Sequence, residues 1–270
     1  MAREPFIRKD SMFLKVANWE GVEAGFTTRL QGASVFPYDS LNLGFHVGDE
    51  PNHVRENRRR IGERLGVLPN RWICAEQVHG SNIEKVTRND AGKGARGLEG
   101  AIPETDGLYT REAGVLLSLG YADCVPLYFF APEWNIVGIA HAGWRGTTSD
   151  IAGKMIEDWV EKEQIPRDAI RVVIGPSIGE CCYEVDLRVI NQVEMALNGN
   201  TEGVYRSTDE EHFKLDLKEC NFRLCEQAGI SAKQIEASLY CTSCSSDIFF
   251  SHRKENGQTG RMLGFVGLKD

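Results

Sequence analysis

Two short apolar runs, VPLYFF (125–130) and NIVGIAHAG (135–143), stand almost back to back with only APEW between them. Both are rich in aromatic and β-branched residues and too short for buried helices, so they read as fully buried strands. A four-residue connection leaves an antiparallel hairpin as the simplest way to pair them. In a hairpin the residue before the first strand and the last residues of the second share one end. Here those are Cys124 and His141.

The rest of the chain supplies more strands than helices. FLKVANW and VEAGFTT near the N-terminus, then RWICAEQVHG, VLLSLG, RVVIGPSIG and IEASLYC, carry strand-like composition, and DIFFSHRKENGQTGRMLGFVGL reads as a closing hairpin around a Gly-containing turn. After the turn-rich SLNLGFHVGDEP, the segment HVRENRRRIGERLG reads as a helix, with Asp49 or Asn52 as its cap and Pro51 near its first turn. Its stripe of Val54, Ile61 and Leu65 passes through Asn57 and Arg58, so one arginine faces inward, with Arg59 exchanging places if the boundary shifts by a residue. A second amphipathic helix carries Ile151, Met155, Ile156, Trp159 and Val160 behind a cap at Thr148 or Ser149, and further helices fall near 186–197 and 216–228. Strands in neighbouring groups as well as alternating with helices predict an α+β fold with mixed sheets rather than a doubly wound parallel one. No repeat, low-complexity linker or long charge run divides residues 1–270, which predicts a single domain.

A net charge of −8 argues against a broad nucleic-acid footprint, because phosphate backbones are held by clustered Lys and Arg. No run of 18 apolar residues suggests a membrane span, and MAREPFIRKD lacks the apolar centre of a signal peptide, so a soluble cytoplasmic protein is expected. In that setting the eight cysteines are expected to be thiols, available as ligands or nucleophiles.

Chemistry concentrates at three positions. His79 in QVHGS, Cys124 in YADCVP and His141 in AHAGWRG each lie between a strand-like run and a turn of small residues, where side chains gather at one rim of a sheet. Imidazole and thiolate suit Zn²⁺, and three protein ligands with an open fourth position form the usual catalytic arrangement, in which water becomes a nucleophile near neutral pH. Two other readings use the same residues: unrelated side chains at loop ends, or a metal-free pair with Cys124 as nucleophile and His141 as base.

The segments QVHG, TDGLYT, ADCVPLYF, AHAGWRGT, IGPSIGECCYEV, CTSC and IFFSHR together resemble the signatures of the YfiH/YlmD family, the multicopper-oxidase-named, laccase-domain group, and the chain looks closest to its YlmD branch. The resemblance runs from about residue 40 to residue 268. It implies a four-layer αββα sandwich with mixed β-sheets and one zinc ion on His79, Cys124 and His141, which would then be both ligands and catalytic residues. It also implies phosphorolysis of adenosine, inosine, guanosine and methylthioadenosine, with inorganic phosphate as co-substrate and ribose 1-phosphate as product, together with deamination of adenosine. Its partners would be small purine nucleosides, with neither nucleic acid nor membrane.

Copper oxidation, which the family's older name suggests, needs many clustered histidines, and the chain has six scattered singly. The His-x-Glu of cytidine-type zinc deaminases is also absent, since Ala-Gly follows His141. Phosphate needs a cation, and Arg58 is the expected anchor of phosphate or ribose, with Arg59 behind it. Asn42 and His46 are candidates for substrate hydroxyls or for holding their own turn, and Arg145 is expected near the metal rim. Asp106 and Asp123 could each orient a zinc-bound histidine or close a turn. Cys181 and Cys182 read as packed thiols. Cys241-x-x-Cys244 resembles half of a structural zinc site lacking a second pair at suitable spacing.

Overall fold

A computed structural model describes residues 3–8 and 10–269. In chain order the elements are β1 (Phe6–Arg8), β2 (Phe13–Val16), β3 (Val22–Thr27), α1 (Pro51–Leu65), β4 (Trp72–Cys74), β5 (Ile83–Lys85), β6 (Gly107–Thr110), β7 (Leu116–Tyr121), β8 (Val125–Ala131) and β9 (Ile136–Ala142). They continue as α2 (Trp144–Thr148), α3 (Ile151–Glu161), β10 (Arg171–Ile174), β11 (Glu184–Asp186), α4 (Leu187–Ala196), β12 (Tyr205–Ser207), β13 (His212–Leu215), α5 (Leu217–Gln227), β14 (Ile235–Ala237) and β15 (Met262–Leu268).

Two six-stranded mixed sheets form the centre, ordered β1-β2-β3-β15-β7-β4 and β14-β10-β8-β9-β6-β5. Phe26, Leu117, Tyr121, Tyr128, Ile139 and Phe249 are buried between their facing sides. The outer face of the first sheet is covered by α1, through Ile61 against Trp72, Leu263 and Phe265. The outer face of the second is covered by α3, α4 and α5, through Ile156, Trp159, Val193 and Leu224 over Val125, Leu127 and Phe129. The layers therefore run helix, sheet, sheet, helices: the α+β fold with mixed sheets expected from the element pattern, arranged as the four-layer αββα sandwich that the family resemblance implies. A small three-stranded sheet, β11-β13-β12, sits beside α4.

The β8–β9 hairpin is as expected: Ala131 pairs Ile136 at its turn and Val125 pairs Ala142 at its open end. A 3₁₀ turn over Pro132–Trp134 closes it, with Asn135 in the left-handed region at φ 47°. Strong burial in every position of both strands follows from cover on both faces, which is why they read as continuous apolar runs.

Three local expectations are corrected. The cap of α1 is Glu50, with Pro51 at the first helical position, while Asp49 turns away to accept from Ser34 and Asn42. The cap of α3 is Asp150, accepting from the Gly153 amide, because Trp144–Thr148 forms a short helix of its own and uses up Thr148. The closing segment is not a hairpin: Ile248–Phe250 form no strand, and β15 pairs instead with β3 and β7, strands far earlier in the chain. Among the described residues no helix is long and apolar enough to cross a membrane.

Phe26 is fully buried where β3 meets Tyr121 and Phe249, with ring centroids 5.8 Å from each. Truncating it leaves a cavity between the sheets, so Phe26→Ala should lower unfolding free energy by about 3–5 kcal/mol in urea titration. A loss below about 1 kcal/mol would mean that the two sheets repack freely.

Candidate active site

The two sheets exchange chain at one edge of the sandwich. From β4 in the first sheet to β5 in the second, the backbone runs through Gln77-Val78-His79-Gly80; from β7 to β8 it crosses through Ala122-Asp123-Cys124. RWICAEQVHG therefore keeps strand geometry only to Cys74, and its remainder is a crossing loop. Gln77 fixes that loop to the end of β7: its amide donates to the Gly120 carbonyl at 2.9 Å and its Oε1 accepts from the Gly120 amide at 2.7 Å. The hairpin register puts His141 opposite Pro126, two positions past Cys124. His79, Cys124 and His141 consequently converge, with their ligand atoms within 4.8 Å of one another.

Asp106 organises the group. It precedes β6, whose register with β9 sets Gly107 beside Ala140, so the aspartate lies next to His141. Its carboxylate accepts from the backbone amides of Val78 (3.1 Å), His79 (3.1 Å) and Gly80 (2.7 Å) and from His141 Nδ1 at 2.8 Å. Burial works against its charge, but the His141 contact and these amides prevail and hold its pKa below the ordinary carboxylate value. With Nδ1–H directed at Asp106, His141 presents Nε2 to the site. His79 adopts φ 58°, a left-handed conformation uncommon for a side chain of this size, and two of the three amides around it are tied to Asp106 beyond its own.

Burial pushes the Cys124 thiol up, yet the neighbouring His141 and His79 imidazoles outweigh it and bring the group down to about 6. His141 shows the converse: burial opposes its charge, while Cys124 and Asp106 raise it to about 9. Without a metal the pair is thiolate and imidazolium. Gly143, opposite the thiol, permits the close approach, since a Cβ there would lie 2.9 Å from Cys124 Sγ and 3.2 Å from His79 Cδ2. The three donors grade from buried His141 through half-buried Cys124 to exposed His79, leaving the site open on the His79 side. Two imidazoles and a thiolate gathered this way suit a zinc ion with a free coordination position.

They form the floor of a cavity of about 520 Å³, a size suited to a small-molecule ligand. His46 and Arg261, neighbours beside Gly44, belong to its lining. Burial and the charges of Arg261 and Arg58 lower His46 to about 4, so it is a neutral imidazole at neutral pH. Trp144, Arg145, Tyr183 and Arg253 line it too, with Arg145 stacked 4.8 Å over Trp144 and Arg253 5.0 Å over Tyr183. Arg253 also donates to the Glu184 carbonyl, whereas the Arg145 guanidinium makes no hydrogen bond or ion pair with a described residue.

Three expected substrate contacts lie outside this lining. Arg58 does face inward, but its Nε and Nη1 donate to the carbonyls of Leu43, Gly94 and Ala95, and it stacks 4.6 Å over Phe45, one layer behind His46. Arg59 points to solvent and pairs with Glu56 and Glu63. Asn42 is fully buried; its Oδ1 accepts from the amides of Gly44 and Arg261 and its Nδ2 donates to Asp49, so it shapes the turn that carries His46. His46 and Arg145 do reach the cavity. Of the two aspartates, Asp106 orients His141, while Asp123, at φ 80°, accepts from Thr242, Ser251 and the Arg253 amide and so anchors the C-terminal loops. Sequence reasoning assigned no role to Arg253, Tyr183 or Arg261. The first two fall within IFFSHR and IGPSIGECCYEV, and that placement was their available signal; Arg261 had none.

A four-layer sandwich with a His/Cys/His cluster on the floor of a cavity has the form of an enzyme site. Residues 23–269 match the family described as multi-copper polyphenol oxidoreductase laccase, and the chain belongs to that family. A Geobacillus stearothermophilus protein named purine nucleoside phosphorylase YlmD is 49% identical over 250 residues, covering 93% of this chain and 91% of its own. Its Bacillus subtilis namesake is 41% identical, with 98% of each chain covered. The crystal structure of YlmD from G. stearothermophilus superimposes with a TM-score of 0.97 over 99% of this chain and 100% of that one, at 46% identity.

Asp106→Ala should weaken metal binding about 10- to 100-fold, measured by competition with a chromophoric chelator, because it frees both His141 and the His79 loop. Unchanged affinity would remove Asp106 from the account. Protons supply a second check. Between about pH 6 and 9 the metal-free pair holds its proton on His141, and a metal needs that imidazole neutral. Uptake should therefore release roughly one proton from this pair, and affinity should rise with pH through that window. Calorimetry in buffers of different ionisation enthalpy reads the proton directly; pH-independent affinity across the window would contradict the assignment.

Proposed function

We propose that this chain is a zinc-dependent purine nucleoside phosphorylase, cleaving adenosine, inosine, guanosine and methylthioadenosine with inorganic phosphate, and that the same cavity deaminates adenosine. The observation that carries this reading is the convergence of His79, Cys124 and His141 beneath an arginine-lined cavity, in a chain close to proteins named purine nucleoside phosphorylases. It would act in the cytoplasm on small molecules.

In phosphorolysis a phosphate oxygen bonds to the ribose C1′ as the bond from C1′ to the purine nitrogen breaks, its electron pair leaving with the base. Arg145, whose guanidinium stacks on Trp144 but has no hydrogen-bond or ion-pair partner among the described residues, suits the phosphate, and Arg253 and Arg261 add positive charge to the lining. Neutral His46 can hydrogen-bond a ribose hydroxyl without competing for the phosphate. Trp144 and Tyr183 provide apolar walls for a purine. A zinc ion on the three ligands would supply Lewis-acid stabilisation of developing negative charge. For deamination Glu76, a carboxylate on the cavity wall, is the residue we assign to carry protons between water and the leaving ammonia.

Incubation with adenosine, with and without phosphate, tests the reading by chromatography. Adenine should form only with phosphate and inosine without it, both should stop on chelation, and both should return with Zn²⁺. Absence of both products would reject it. Arg145→Ala should raise KM for phosphate about 10- to 100-fold, the loss of a charged hydrogen bond, with a smaller effect on KM for adenosine.

One observation favours a second reading. Cys124 at about 6 beside His141 at about 9, itself oriented by Asp106, is the protonation state of a cysteine nucleophile with its base. A metal-free hydrolase or amidase of this kind would resist chelation and die on alkylation of Cys124. The zinc reading requires the opposite order of sensitivity.

A further inference from the structure

Four cysteines outside the cavity floor meet at the surface. Cys181 and Cys182 lie in the loop after β10, and Cys241 and Cys244 in the loop after β14, some sixty residues on. A bridge between Ser177 and Cys241 holds the two loops side by side. The missing partner of Cys241-x-x-Cys244 is thus the vicinal pair from the other loop, which linear spacing cannot reveal.

All four Sγ atoms lie within 4.8 Å of one another, with Cys181 to Cys244 at 3.5 Å and Cys182 to Cys244 at 3.4 Å. These separations are far beyond a disulfide bond of about 2.05 Å. They are close to the roughly 3.8 Å expected between sulfurs at the corners of a tetrahedron with metal–sulfur bonds of about 2.3 Å. Four thiolates around a divalent ion leave a charge of −2, and the surroundings answer it. The Gly179 amide donates to Cys241 Sγ at 3.2 Å, the Cys244 amide donates to the same sulfur, and the half-buried Lys218 ammonium is close enough for Cys241 and Cys181 to act on its charge. Lys218 Nζ is fixed there by the carbonyls of Ser238 and Tyr240, both at 2.9 Å. Amide donors and a fixed cation around the sulfurs are the outer support that thiolate metal sites require.

We propose that Cys181, Cys182, Cys241 and Cys244 bind one structural divalent metal ion of the zinc class, separate from the His79–Cys124–His141 site. With every coordination position filled by sulfur, this ion has no place for substrate and acts as a clamp. It joins the loop bearing Ile178 and Tyr183 to the loop bearing Thr242, which donates to Asp123 next to Cys124. Binding forms four metal–sulfur bonds and releases the thiol protons to solvent.

The test uses full-length Cys124→Ala protein, reduced and kept anaerobic, so that the active-site thiolate cannot contribute. Titration with Co²⁺ should give one equivalent with strong thiolate-to-cobalt absorption in the near ultraviolet and tetrahedral bands in the visible. Adding Cys181→Ser and Cys244→Ser should abolish that absorption. No thiolate–cobalt band in the Cys124→Ala protein, or a band that survives both further substitutions, would overturn the proposal. Zinc-edge X-ray absorption of the Cys124→Ala protein loaded with zinc needs no change in the cluster. Four sulfurs at about 2.3 Å are expected, and a mixed nitrogen–sulfur shell would overturn it.

Discussion

The carboxylate of Asp106 is the contact on which the rest of the site depends. It gathers three consecutive backbone amides and one imidazole, and so fixes two of the three convergent side chains from a single point. Without those acceptors the amides of Val78, His79 and Gly80 would turn elsewhere and the loop would have no reason to hold His79 at φ 58°. Burying a carboxylate is costly in isolation, and four donors are what make this one tolerable. The same contact settles which nitrogen of His141 faces the cavity, a chemical choice rather than a purely mechanical one.

The position of Asp106 is in turn a consequence of sheet register. β6 runs between β5 and β9, and pairing Gly107 with Ala140 leaves the preceding residue beside His141. The other crossing supplies Cys124 at the mouth of a hairpin whose strands are buried on both faces. The site is thus assembled where the chain passes twice from one sheet to the other, and where the pleated scaffold ends and side chains gain room. Gly143 completes it by absence: any side chain there would occupy the space of the thiol.

Much of this could be read from residues alone, and the division follows the range of the interaction. The hairpin, the convergence of Cys124 with His141 and the inward face of α1 rest on periodicity over fewer than twenty residues, and local pattern carries them. Arg58 shows the limit. Its stripe position fixes that it is buried, but its partners are carbonyls at Leu43, Gly94 and Ala95, and no local rule distinguishes a guanidinium that knits loops together from one that meets a ligand. Arg261 reaches the cavity through a backbone contact with Asn42, and the two vicinal cysteines find theirs across β10 and β14. The cap at Asp150 was hidden for a different reason: a five-residue helix, α2, stands before it and shifts the boundary.

Zinc chemistry in this protein requires an ion on the floor of the cavity. Anomalous diffraction at the zinc edge, from crystals of freshly purified protein, measures this directly. A peak within about 2.0–2.3 Å of His79, Cys124 and His141 together is the predicted result. No peak there in fully loaded protein, with the Cys124 sulfur instead hydrogen-bonded to His141 alone, would contradict it.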